Sequence, residues 1–135
     1  MSILDNQLEH KIKLYQVAAG ETKKGKVCLN PWDHRGKKRN MGNGRVTENA
    51  VDTGTNCAPM VRLDSIVSRC PDLVKVDVEG FETTALKGLG LSNESDCRPD
   101  FVTLEEKHGE SATTHLKSLG YKCNKVGDGC CDFLC

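Results

Sequence analysis

Six residues, LVKVDV at positions 73–78, restrict the fold of this chain more than any other segment. Four are branched aliphatics, and a near-continuous apolar run of that length, broken by Gly80, is what a parallel strand covered on both faces requires. Helical signals flank it. Before it, Leu63, Ile66, Val67 and Cys70 fall at the i, i+3, i+4, i+7 spacing of one buried face, which Pro71 ends. After it, Phe81, Ala85 and Leu89 recur every fourth residue and predict a short helix closing near Gly88 and Gly90. FVTL at 101–104 reads as the next buried strand, and 111–119 as a helix stopped by Gly120. Residues 121–126 and 132–134 flank Gly127-Asp128-Gly129 and predict two antiparallel strands with a tight connection.

The first half is less ordered. KIKLYQVA at 11–18 alternates polar and apolar residues, then turns apolar, so a strand ended by Gly20 is expected. KVCL at 26–29 is a second short strand. Residues 30–55 hold Gly36, Gly42, Gly44 and Gly54, the run Lys37, Lys38 and Arg39, and few apolar residues. They read as a long polar loop, bounded at 30–57, and loops of that length tend to be functional. Helices alternating with buried strands imply an α/β fold with a mostly parallel sheet and a C-terminal antiparallel hairpin.

The chain's 135 residues fit one domain, 1–135. Nineteen Lys plus Arg balance nineteen Asp plus Glu, so no net field draws nucleic acid or an anionic membrane, and a small molecule is the expected partner. No apolar run approaches the roughly 20 residues of a membrane span. Residues 1–10, MSILDNQLEH, lack the basic flank and apolar stretch of a signal peptide, so the cytoplasm is the default expectation. Eight cysteines make an even set, but a disulfide framework needs a secretory context. The expectation is free cysteines acting as small hydrophobes. Zinc held by Cys123, Cys130, Cys131 and Cys135 is the weaker alternative, since two adjacent cysteines rarely both reach one tetrahedral ion; no metal is expected.

Chemistry concentrates where the buried strands end. A period of two puts Lys75, Asp77 and Glu79 on one face and Val74, Val76 and Val78 on the other. Unpaired buried charges are costly, so these groups either pair together or open into a crevice beyond the strand ends, where α/β sheets bind ligands. Glu105, Glu106 and His108 end the neighbouring strand in the same way. Asp77 and Glu79 are then either binding or catalytic groups, or solvated residues partnering Lys75.

Four segments, in order, resemble the C-terminal half of the FkbM-type S-adenosylmethionine-dependent methyltransferases. They are VRLDSIV (61–67), LVKVDVEGFETTALKGL (73–89), RPDFVTLEEKH (98–108) and LKSLGYKC (116–123). KIKLYQVAAGETKKGKVCLN (11–30) is similar to the family's third strand and the short strand after it. The resemblance implies a partial Rossmann-like class I methyltransferase sheet with its first two strands missing, and S-adenosylmethionine as cofactor. It further implies transfer of a methyl group, by O-methylation, to a small-molecule or glycan-type substrate. Asp77, Glu79, Glu105 and His108 are then the candidates for proton removal or substrate orientation, and Ala19, Gly20 and Glu21 lie near the adenine.

The same resemblance expects a glycine-rich cofactor turn and a ribose-binding acid upstream of residue 11, where residues 1–10 contain no glycine. Gly42-Asn43-Gly44 is no substitute, because no strand precedes it. The expectation is an N-terminally truncated domain whose open sheet edges invite homo-association or a partner chain. The alternative is a non-catalytic interaction or metal-binding module using the basic loop 37–45 and the cysteine-rich end.

Overall fold

A computed structural model describes residues 3–22, 25–29, 46–47, 57–78, 80–106, 111–128 and 131–135. Glu79, His108, Cys130, the basic loop 37–45 and the Gly42-Asn43-Gly44 turn lie outside them. Eight strands and two helices are found among these residues: β1 Ala18–Ala19, β2 Lys26–Leu29, β3 Val46–Thr47, β4 Cys57–Val61, β5 Leu73–Val76, α1 Glu82–Gly88, β6 Phe101–Glu105, α2 Ser111–Ser118, β7 Asn124–Lys125 and β8 Asp132–Leu134. They form two four-stranded sheets, in the orders β1-β4-β2-β3 and β5-β6-β8-β7.

The mixed α/β class holds. The single, mostly parallel sheet does not: only β1 with β4 and β5 with β6 run parallel, and β2/β3, β2/β4, β6/β8 and β7/β8 are antiparallel. The difference originates in β4. No strand is expected over CAPMV, where the polar loop is bounded at residue 57 and Pro59 offers no N–H to a ladder. Met60 donates its N–H to Gly25 O on the β2 side, so the nitrogen of Pro59 faces the β1 side. There the β1 ladder begins only at Ala18↔Met60, one residue past the proline. A strand with its proline turned to a local edge loses no ladder bond.

Two further expectations are corrected. The strand over 11–18 shrinks to Ala18–Ala19, and Ile12, Leu14 and Tyr15 are exposed. Alternation alone does not make a strand where no neighbour pairs with it. The helix from Leu63 is a single 3-10 turn, Leu63–Ser65, in which Ser65 Oγ donates to Arg62 O at 2.6 Å. A serine bonding its local backbone competes with helix propagation.

The second sheet matches its expected order closely. Leu73↔Phe101 through Val76↔Leu104 pair in parallel register. Val76, Val102 and Leu104 on one face pack with Ala85, Leu86 and Leu89 of α1 and its end, and with Ala112 and Leu116 of α2. Both helices end alike. Gly90, at φ +87°, donates to Lys87 O while Leu91 donates to Leu86 O; Gly120, at φ +93°, donates to Lys117 O while Tyr121 donates to Leu116 O. This paired closure needs a left-handed residue, which glycine adopts without penalty. The other face is not covered as expected for LVKVDV: Leu73 is 59 % and Phe101 54 % exposed, and β5 is the end strand.

The cysteines are not free, which overturns the small-hydrophobe expectation. Cys28–Cys57, Cys70–Cys97 and Cys123–Cys135 are disulfides. Cys28 and Cys57 are register partners of β2 and β4. Two of the four thiols suggested for zinc are therefore bonded to each other.

Candidate functional site

The carboxyl ends of β5 and β6 gather the acidic groups. Val76↔Leu104 is the last parallel pair, so Asp77 and Glu105 stand one residue further on each strand, and Glu105↔Asp132 is a register pair across to β8. By the two-residue period, Asp77, Glu105 and Asp132 share the face of Leu73 and Phe101 that no helix covers. A row of three carboxylates thus crosses three strand ends. Asp77 has 41 % of its side chain exposed, with Lys75 Nζ at 3.9 Å. Such an exposed pair is screened and contributes about 0–1 kcal/mol, so it leaves the carboxylate accessible. Glu105 is half-buried.

Two more carboxylates at this end have structural work instead. Glu82, 4 % exposed, opens α1 and accepts from Gly80 N–H at 2.8 Å, closing the turn in which Gly80 takes φ +100°. Glu106, 5 % exposed, accepts from Ala112 N–H at 2.6 Å, Thr113 N–H at 3.1 Å and Thr113 Oγ1 at 3.0 Å. The two N–H groups belong to the first turn of α2, which has no intrahelical acceptors for its leading N–H groups, and the helix dipole there also favours a negative group. Thr83 Oγ1 and Ser111 Oγ, 3.0 Å apart, join the two helix starts. The adjacent glutamates after FVTL therefore divide their roles: Glu105 faces outward and Glu106 anchors a helix.

Ala19, Gly20 and Glu21 lie elsewhere. Gly20 is buried and donates to Val61 O at 2.9 Å. A Cβ on Gly88 would strike the carbonyl oxygen of Gly20, so these three residues adjoin the C-terminal end of α1. Asp77 precedes its N-terminal end, and seven helical residues separate the two places by about 10 Å. Glu21 Oε2 is 3.6 Å from Lys87 Nζ, and Arg62 donates to Glu21 O at 3.0 Å. Arg62 also grips Asp64, with Nε 3.1 Å from both carboxylate oxygens. This hydrogen bonding raises the guanidinium's pKa above its ordinary value. Glu21, Arg62, Asp64, Lys87, Leu91 and His115 border a cavity of about 590 Å³.

The structure thus brings Asp77 and Glu105 to one strand-end face and gathers Ala19, Gly20 and Glu21 at the other end of α1. Asp132 is not evident in the sequence because it belongs to a returning strand, and only the β6/β8 register sets it beside Glu105. Arg62 and Asp64 are legible there only as part of VRLDSIV. Among the described residues, no group of three or more His, Cys, Asp or Glu is disposed to hold a metal ion, and no helix is long and apolar enough to cross a membrane.

No curated protein and no solved structure matches the chain. The model of the methyltransferase FkbM domain matches residues 6–123, a span covering both sheets' principal strands, both helices and Asp77 and Glu105. A match over that much of the chain establishes the relationship: the chain belongs to the FkbM methyltransferase family.

Proposed function

We propose that this chain takes part in S-adenosylmethionine-dependent O-methylation of a small-molecule or glycan-type hydroxyl compound. The observation that supports this reading is the row of carboxylates Asp77, Glu105 and Asp132 at the open strand ends, beside the Gly80 turn that Glu82 closes and the start of α2, whose first N–H donors Glu106 accepts. The carboxylates of the row are therefore not needed to cap α2. Order β5-β6-β8-β7, with an antiparallel close, also suits one half of a Rossmann-like class I sheet, and the exposed edge of β5 is where a further strand, from a second copy or a partner chain, would add.

S-adenosylmethionine would supply a methyl group already activated on a sulfonium. Carboxylates beside a cavity of about 590 Å³ are suited to accept hydrogen bonds from ribose hydroxyls, so Glu21, with Ala19 and Gly20 behind it, is assigned to the nucleoside. At the strand ends, Asp77 accepts the proton released by the attacking hydroxyl, and Glu79, Glu105 and His108 orient the acceptor or share that role. Methyl transfer from labelled S-adenosylmethionine to a panel of glycans and small alcohols tests the assignment. Loss of general-base help in Asp77→Asn should lower kcat by about 100-fold or more. Full activity in both Asp77→Asn and Glu79→Gln would remove these residues from the mechanism.

A further inference from the structure

Every cysteine among the described residues is disulfide-bonded, Cys131 included. The bonds coincide with strand pairings that have other causes. Cys28 and Cys57 face each other in the β2/β4 ladder, which also contains Val27↔Ala58 and Lys26↔Pro59. Asn124↔Leu134 is a register pair of β7 and β8, so Cys123 and Cys135, one residue outward on each strand, are the next positions to meet. Cys135 is further fixed by reciprocal backbone bonds with Val102, at 2.8 and 2.9 Å. Cys70–Cys97 clamps the chain just before Leu73 and Phe101, the first residues to pair in β5 and β6. Each bond thus pins a ladder at its end or within it.

The first sheet has special need of this. Its buried apolar side chains among the described residues are Val27, Cys28 and Met60, and one of those three is itself a disulfide cysteine. So few side chains make a poor core, and small cores are commonly stapled by disulfides.

We infer that this chain matures in a thiol-oxidising compartment, as the client of a disulfide-donating oxidoreductase. Each bond requires two thiols to lose two protons and two electrons. A client thiolate attacks the oxidoreductase's disulfide, and the second client thiolate then displaces it from the mixed disulfide, leaving the oxidoreductase as a dithiol. A cytosolic thiol pool would hold the same cysteines reduced. The default expectation of a cytoplasmic location, drawn from residues 1–10, thereby gives way to one drawn from the cysteines.

The test is to produce the full chain in a reducing cytosol and in an oxidising export compartment, purify both without reductant, and alkylate with iodoacetamide. The exported chain should resist alkylation at Cys28, Cys57, Cys70, Cys97, Cys123, Cys131 and Cys135 until reduced, and its peptide map should show 28–57, 70–97 and 123–135 linked. The cytosolic chain should aggregate or melt lower. Adding reductant to the folded exported chain should abolish its resistance to trypsin. Alkylation of these cysteines in the folded exported chain, other pairings in the map, or a fully reduced cytosolic chain that melts as high and resists trypsin equally would each overturn the inference. None of these readouts depends on methyl transfer.

Discussion

Removing Cys70–Cys97 with the double substitution Cys70→Ala/Cys97→Ala should destabilise the fold without disturbing its strand order. The bond closes a separation of 27 residues. Loop-closure entropy for that length is about 12 cal/mol/K, or about 3.5 kcal/mol at about 25 °C. With an unfolding entropy of roughly 280 cal/mol/K for a chain of this size, the melting temperature should fall by about 12 °C. Because Cys70 and Cys97 are half-buried and Cys97 only borders the core, little packing is lost with the sulfurs, so the entropy figure dominates. Thermal unfolding followed by circular dichroism, with urea titration as a second probe, measures the effect. The 12-residue separation of Cys123–Cys135 predicts a smaller loop contribution, about 2.8 kcal/mol. A double variant melting within about 3 °C of the parent would refute the idea that this link limits the unfolded chain.

Other substitutions probe single contacts. Glu106→Ala should destabilise by about 2–4 kcal/mol, because it strands the Ala112 and Thr113 N–H donors in a buried place; urea midpoints measure this, and Glu106→Gln should fall between the two. Gly88→Ala drives a methyl into the carbonyl oxygen of Gly20, a backbone atom that cannot rotate away, and should cost about 1–3 kcal/mol, read as a lowered melting temperature. Burial raises the pKa of Tyr121, whose hydroxyl donates to Pro99 O at 2.9 Å. A raised folded pKa means the unfolded chain releases this proton first, so the stability is intact below the unfolded value of about 10 and is lost as pH climbs through the folded one. Tyr121→Phe should therefore lower stability by about 1 kcal/mol at neutral pH and flatten the alkaline fall, as urea midpoints between neutral and alkaline pH would reveal.

How much can be read from sequence tracks how local the cause is. The helices α1 and α2 depend on apolar spacing and a closing glycine, both within a few residues, and their positions agree with expectation. The strands β5 and β6 announce themselves by composition. By contrast, β4 is hidden by Pro59, whose tolerance depends on where a separate strand stops. The apparent helix at Leu63 has the right spacing but too short a run before Pro71. At the candidate site, Asp77 and Glu105 are legible as strand-end acids, whereas Asp132 requires the β6/β8 register and Glu106 requires knowing which way its side chain turns. The disulfides illustrate the same limit: pairing is a matter of register, and a linear reading lacks it.

The meeting of Gly20 and Gly88 has a consequence for how this chain tolerates change. On the Gly88 side, a side chain would strike backbone; on the Gly20 side, it would strike Met60, a flexible residue able to shift. The joint is therefore asymmetric. A library randomised at both positions should recover Gly88 almost unvaried, while Gly20 admits small residues chiefly in clones that have also trimmed Met60, so covariation between 20 and 60 is the signature to look for.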